Sequence, residues 1–489
     1  MTANDYIGYM TDAISLDPFR QALGPKGVIT DPDAISPWLT DWRGRFFGKA
    51  PAIIAPATTQ EVSATIRLAN ERNIALVPQG GNTSMVGGAT PPEDGTALIL
   101  SLRRMNAIRF LDAGALEAVC EAGVILSTLH DSAEAAGLRF PLSLGAKGSA
   151  TIGGLISTNA GGTQVLRHGT MRGLVAGLEA VLPNGDIFDG LASLKKDNRG
   201  FDIKQLLIGA EGTLGVVTAA RLKLAPPILA AATIWVGLSS PHDALVLLRR
   251  LQDRFGPIVE AFEVMAQDCV QHVAEHIPDI RMPLQSPAAW QVLITLDLTT
   301  MAADGMMQVE RFLADMFADE TLHLADAVIA QNETQSEIFW RIRESISEAE
   351  RAQGPALQFD VSVPVASMPD FMIDTAQAAQ ARFSGTTASS FGHLGDGNVH
   401  FHVRAPAGTT DGPAWIAANG GPISQFVHDQ VVGMHGSISA EHGIGQMKRA
   451  ELGRLASPAR LTALRAVKAA LDPHNIMNPG KLIPLASEG

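Results

Sequence analysis

Cysteine is nearly missing from this sequence: Cys120 and Cys269 are the only two among 489 residues, and they form no C-x-x-C pair. A cysteine-built zinc knuckle is thereby excluded, and a reducing compartment is favoured, with the cytoplasm as the expected location. Positive charge is also scarce. Lys and Arg number 37 against 50 Asp and Glu, a net charge of −13, so nothing electrostatic favours nucleic acid or an anionic membrane as partner. No uninterrupted apolar run reaches the ~20 residues that span a bilayer, so no integral membrane segment is expected. The opening MTANDYIGYMTDAISLDPF lacks a basic stretch ahead of a continuous apolar core and does not read as a signal peptide. Neither G-x-G-x-x-G nor G-x-x-x-x-G-K-S/T occurs, which disfavours a Rossmann dinucleotide site and a P-loop. Internal repeats and low-complexity tracts are not evident either.

What is present falls into four stretches. Length alone implies about three domains, with room for large buried cores. Residues 1–50 read as an N-terminal helical and connecting segment ending in TDWRGRFFGKAP. From residue 51 the pattern alternates: AIIAP and IALVPQ are short buried strands, and TTQEVSATIRLANERN between them is an amphipathic helix opened by a threonine cap. This order predicts an α/β unit with parallel strand pairing. A second half of the same domain, 51–227, has strand-like LEAVCEAGV, LEAVLPNGDIFDG and TLGVVTAARLKLAP, with a tight turn at PNGD. Pro226-Pro227 marks a boundary. Residues 228–435 mix strands such as WQVLITLDL with long helices such as SPHDALVLLRRLQDRF, and 436–489 form a short C-terminal segment.

Three glycine clusters follow or precede strands. PQGGNTSMVGGATP offers backbone N–H groups and hydroxyls to an anion such as a nucleotide pyrophosphate, with a glycine-rich surface loop as the bland alternative. PLSLGAKGSATIGGLISTNAGG carries so many glycines that no packed helix or strand is expected there; close backbone approach to a large flat ligand explains it better. IGAEGTLGVV places Gly209, Gly212 and Gly215 just before a strand. Finally, FGHLGDGNVHFHV reads as a hairpin. With Asp396-Gly397 as a two-residue type I′ loop, His393 pairs directly with His400, a spacing that suits two imidazoles sharing one metal ion. His402 shares that face and is expected to be satisfied by a backbone carbonyl.

Taken in order, PQGGNTSMVGG, GSATIGGLISTNAGG, LRHGTMRGLVAGLEAVLPNGDI, IGAEGTLGVVT, GHLGDGNVH, AEHGIG and LDPHNIMNPGK resemble the FAD-linked oxidases of the vanillyl-alcohol oxidase type. The nearer resemblance is to the FAD-dependent D-2-hydroxyacid dehydrogenases, and it covers roughly residues 35–485. The resemblance implies an α+β protein: a two-subdomain FAD-binding domain plus an α+β substrate, or cap, domain holding the histidine hairpin. It implies that FAD is held by Pro78, Gly80, Gly81, Asn82, Thr83 and Ser84 of the first cluster. From the second it draws Pro141, Gly145, Gly148, Ser149, Thr151, Ile152, Gly153, Gly154, Asn159, Gly161 and Gly162. Glu211, Gly212, Gly215 and Val216 would hold the adenosine side, and Asn478 would return to the flavin. The first loop has no histidine, so the FAD is expected to be non-covalent.

The same resemblance supplies a third metal ligand, Glu441 of AEHGIG, completing a His393, His400 and Glu441 site for a divalent metal, zinc by type. His442 is then the catalytic base, Arg343 and Ser347 meet the substrate carboxylate, and Asn398 hydrogen-bonds the substrate. Gln358 stands where hydroxyglutarate dehydrogenases of this kind have a lysine, which weakens the case for a dicarboxylate unless another basic residue compensates. Arg341 and Arg351 read as solvated charges. The implied reaction is hydride transfer from C2 of a D-2-hydroxyacid to flavin N5, with D-2-hydroxyglutarate as first substrate and D-lactate or glycolate as alternatives. An electron-transfer flavoprotein or quinone is the implied acceptor, and a homodimer the implied assembly. Two other classes compete: a zinc hydrolase without flavin, and a flavoprotein that binds a partner without turnover.

Overall fold

The computed structural model describes residues 14–301 and 303–484. The first 13 residues of the expected N-terminal segment lie outside the described residues, as do 485–489. Three sheets organise the rest.

The first sheet has four strands in the order Val28–Ile29, Ile53–Ile54, Ala97–Ser101, Ala75–Gln79. Ile53–Ile54 and Ala75–Gln79 both run parallel to Ala97–Ser101, which lies between them. The expected helix between the first two is Thr59–Glu71. Thr58 starts it by accepting the Glu61 N–H through its hydroxyl at 3.1 Å. Val62, Ile66 and Ala69 recur at helical spacing and share one buried cluster with Ile54, Leu76, Leu98 and Leu100.

The second sheet is antiparallel, in the order Ile108–Asp112, Glu117–Glu121, Val216–Lys223, Val175–Val181, Ile187–Gly190. The PNGD turn joins its last pair, with Gly185 at φ +84°. One expectation fails here. The second glycine cluster does contain a helix, Ile152–Thr158, because glycine lets it approach the sheet backbone: a Cβ on Gly153 would lie 2.7 Å from the Ala122 Cβ.

The third sheet has seven strands in the order Leu324–Ile329, Ala231–Leu238, Trp290–Asp297, Val259–Ala266, Thr387–His393, Asn398–Arg404, Ala356–Ser362. Helices cover both faces. Pro241–Phe255 and Met368–Arg382 join the larger apolar cluster, while Gln267–His276 and Glu333–Ala352 pack on the opposite face around Trp235, Leu293 and Phe391.

The histidine hairpin corrects the expected register. His393 pairs with Asn398 and Phe391 with His400, so the loop is the four residues 394–397 rather than Asp396-Gly397 alone. The cause is local: Gly397 N–H donates to the His393 carbonyl at 3.1 Å, closing a helical turn instead of a two-residue loop. His393 and His400 remain on one face as diagonal neighbours, their ring centroids 5.5 Å apart.

Candidate functional site

Alternation along the large sheet gathers polar side chains on the face toward Glu333–Ala352. Glu263 pairs with His393, Asp360 with His400, and Gln358 with His402, and directly opposed residues project to the same side. That face forms one wall of a cavity of about 750 Å³. The glycine clusters form the other.

His393, His400 and Glu441 each offer a ligand atom, and these lie within 4.8 Å of one another. Behind them sits Glu263, fully buried in the strand Val259–Ala266. One of its oxygens lies 2.6 Å from His393 Nδ1 and the other accepts from Arg343 Nε at 2.8 Å. A carboxylate on Nδ1 leaves Nε2 as the metal-facing nitrogen, the arrangement that orients a ligating imidazole. Burial opposes a charged His393, but Glu263 outweighs it and raises the pKa to about 9. His400, pressed by burial and by the charge of His393, goes well below the ordinary value. Burial, chiefly, raises Glu441 to about 7. Two imidazoles and one carboxylate, with His400 and Glu441 on the cavity wall, fit a divalent ion that keeps open positions.

His442 lines the same cavity. Its Nδ1 lies 3.4 Å from Asp360 Oδ2, so Nε2 is the nitrogen left to face a ligand. Burial lowers its pKa, Asp360 opposes that, and Lys448, Arg43 and Arg45 add to it, so the ring is neutral near pH 7 and able to accept a proton. Asp360 organises the turn. Its Oδ2 accepts the backbone N–H groups of Glu441 and His442 at 2.9 and 3.0 Å, and its Oδ1 accepts Asn398 Nδ2 at 2.9 Å. Burial opposes ionisation, yet His442, Lys448 and His400 hold Asp360 below the usual carboxylate range.

Most residues expected to hold FAD do line the cavity: Pro78, 80–84, Gly145, Gly148, Ser149, Thr151, Gly153, Gly154, Gly161, Glu211, Gly212, Gly215 and Val216. Pro141, Ile152, Asn159, Gly162 and Asn478 are not among the residues that line it. A Cβ on Gly81 would lie 1.8 Å from the Ser149 carbonyl oxygen, so the first two clusters touch there. Gly145 and Gly148 open on empty space, and the buried Thr151 hydroxyl has no hydrogen-bond partner among the described residues. Bare backbone and an unspent hydroxyl suit a large planar cofactor with a phosphate tail. Asn478 Nδ2 ties the loops together through the carbonyls of Gly88, at 2.9 Å, and Glu211, at 2.7 Å. Glu211 itself accepts the N–H groups of Ile444 and Gly445, each at 2.7 Å, and so fixes the AEHGIG loop against the glycine clusters.

Arg343 donates to Glu263, and Asn398 to Asp360 and the Val361 carbonyl; neither is among the residues lining the cavity, whereas Ser347 and Gln358 are. His402 meets the Glu350 carboxylate at 3.1 Å rather than a carbonyl. Arg351, read as solvated, lines the cavity with Arg43 and Arg45. Sequence reasoning missed Asp360, Glu263 and Arg43. The first two had a signal, since an acid inside an apolar strand asks for a buried partner; Arg43, 315 residues from its partner Gln358, had none.

Comparison with known proteins agrees along most of the chain. Residues 50–190 match the FAD binding domain family, and residues 230–482 match the family described as FAD linked oxidases, C-terminal domain. The mitochondrial D-2-hydroxyglutarate dehydrogenase of Bos taurus is 38% identical over 464 residues, covering 94% of this chain and 82% of that protein. The D-2-hydroxyglutarate–pyruvate transhydrogenase of Saccharomyces cerevisiae is 31% identical, covering 96% of this chain and 95% of its own length. Among solved structures, 4-ethylphenol oxidase from Gulosibacter chungangensis shares the fold with a TM-score of 0.70 at 19% identity, over 97% of this chain and 99% of that one. With both halves matched around one cavity, the chain belongs to the FAD-linked oxidases.

Proposed function

We propose that this protein is an FAD- and metal-dependent dehydrogenase that oxidises a D-2-hydroxyacid to the 2-oxoacid, D-2-hydroxyglutarate being the first candidate. The observation that carries this is the meeting of the His393, His400 and Glu441 donors, the His442 imidazole and the bare glycine loops around one cavity. The dehydrogenase and transhydrogenase named above support the substrate class. A bound FAD supplies the hydride acceptor for C2, and a bound divalent ion, zinc by its donor chemistry, supplies Lewis acidity at the C2 hydroxyl. His442 Nε2 takes the hydroxyl proton, and Asp360 stabilises the imidazolium that results. Ser347 and Gln358 contact the substrate from the cap side. Arg343 acts through Glu263 on His393, and Asn398 acts through Asp360; both are positioning residues.

Residues 51–227 are read as the FAD-holding domain, 228–435 as the substrate domain and 436–489 as the return to the flavin site. Electrons leave for an electron-transfer flavoprotein or quinone, and the assembly is a homodimer, both on the strength of the resemblance. No helix among the described residues is long and apolar enough to cross a membrane. The free, buried thiols of Cys120 and Cys269 suit a reducing compartment such as the cytoplasm, while the Bos taurus relative is named as mitochondrial. Neutral Gln358 favours a second reading, a monocarboxylate such as D-lactate or glycolate. The FAD-binding match sets the flavin-free zinc hydrolase aside.

Anaerobic stopped-flow absorbance of the FAD-loaded protein, with and without zinc, tests this. Bleaching by a D-2-hydroxyacid that depends on the metal is the expected result. A fully loaded protein that no D-2-hydroxyacid bleaches would leave only the non-catalytic flavoprotein.

A further inference from the structure

The loop Asp41–Phe46 brings a second cation cluster to the cavity. Asp41 folds it, with Oδ1 accepting the N–H groups of Arg45 and Phe46 at 2.6 and 2.7 Å and Oδ2 accepting that of Arg43 at 3.2 Å. Gly44 turns the chain at φ +65°. Arg43 thereby reaches across to the large sheet, where its Nη1 donates to Gln358 Oε1 at 2.6 Å.

Three facts show that this guanidinium is not satisfied. Its hydrogen bonding among the described residues is to one neutral amide oxygen, although it carries five donors. Its Nε is buried without a partner. Arg45 and Arg351 line the same cavity, and burial together with their like charges lowers Arg43 to about 10 against the pull of Asp41 and Asp360. It stays cationic at neutral pH. The nearest carboxylates do not cap it: Asp41 is spent on its own loop and Asp360 on Asn398, Glu441 and His442. Arg43 also lies near the proposed base: its partner Gln358 is two residues from Asp360, which accepts the His442 N–H, and all four residues line the cavity. The Gln358 amide completes the picture: its oxygen steers the cation without cancelling it.

We propose that Arg43, aimed by Gln358, binds a second anionic group of the substrate, so that the preferred D-2-hydroxyacid carries a remote carboxylate. The assignment rests on the reading of the cavity as a 2-hydroxyacid site. Arg43 is the contact residue, and Gln358 is a positioning residue with respect to this carboxylate. Arg45 and Arg351, both exposed, raise the local potential.

Two readouts on the FAD-loaded protein separate this proposal from the reaction itself. The first is the ratio of kcat/KM for D-2-hydroxyglutarate to that for D-2-hydroxyvalerate, which has the same chain length and one carboxylate. The expected ratio falls about 10- to 100-fold in Arg43→Met, the worth of one hydrogen bond between charged groups. Gln358→Glu is expected to lower it as much, since it keeps the contact and neutralises the cation, a change that a merely structural role would not register. The second readout needs no turnover. Titration with glutarate and with butyrate, followed by the bound-flavin spectrum, is expected to show tighter glutarate binding that Arg43→Met abolishes. Equal binding of the two by the unaltered protein would overturn the proposal, as would an unchanged ratio in both variants. Failure of every hydroxyacid to bleach the flavin, with glutarate still preferred, would instead remove the dehydrogenase reading and leave the anion site standing. Should Arg43→Met not fold, Gln358→Glu carries both readouts.

Discussion

On the proposed reading His442 bears the proton, so its loss separates chemistry from binding. His442→Ala is expected to keep FAD and metal while the rate of flavin reduction falls about 10²- to 10⁴-fold, measured by stopped flow. Near-normal reduction would move the base elsewhere. Glu263 is the complementary case, for it touches no ligand. Glu263→Gln is expected to weaken zinc about 10- to 100-fold in a chelator competition while flavin content stays constant; unchanged zinc affinity would show that His393 needs no carboxylate behind it. At this scale the sequence was uneven. His393, His400, Glu441 and His442 were legible because local motifs carry them. Arg343 was legible as a residue but its partner Glu263 was not, since only the fold brings the two together.

Strands and loops set how closely ligands approach. The contact between Gly81 and the Ser149 carbonyl leaves no room for a Cβ, so Gly81→Ala is expected to part the first two glycine clusters. FAD retention on gel filtration should fall at least about 10-fold while the far-ultraviolet circular dichroism is kept; full retention would mean that the loops can shift without losing the cofactor. Most elements were readable from periodicity, among them the capped helix Thr59–Glu71 and the strand Val216–Lys223. The two errors have one physical source. Asp-Gly suits a two-residue hairpin and clustered glycines suit open loops, but tertiary contacts chose a longer turn after His393 and a helix at Ile152–Thr158.

For the whole molecule, buried carboxylates with cationic partners should govern stability in acid. Burial alone would raise Glu350, yet His402, His272 and Arg404 overcome it and bring its pKa down to about 2. A depressed carboxylate stabilises the fold fully above its unfolded value, near 4.3, and the contribution disappears as pH falls toward 2. The worth is about 3 kcal/mol. Glu260, held low by His168, Arg139 and Arg167 against its burial, loses its share over the same descent. Urea unfolding between pH 7 and 3 should therefore show a falling midpoint, and Glu350→Gln a shallower fall; identical pH profiles would deny Glu350 that role. The strand–helix–strand order around Thr59–Glu71, with its parallel pairing, was visible from periodicity. How the parts meet was not, because Arg43 with Gln358 and Glu211 with the AEHGIG loop join residues 315, 233 and 234 positions apart. Glu211 has a further consequence. On the proposed reading it belongs to the flavin side of the cavity, yet it holds the backbone just beyond Glu441 and His442, so either proposed occupant orders a segment that the other needs. Thermodynamic reciprocity then applies: whatever factor FAD lends to zinc affinity, zinc lends to FAD affinity, and a chelated protein should shed its yellow colour more readily than a metal-replete one.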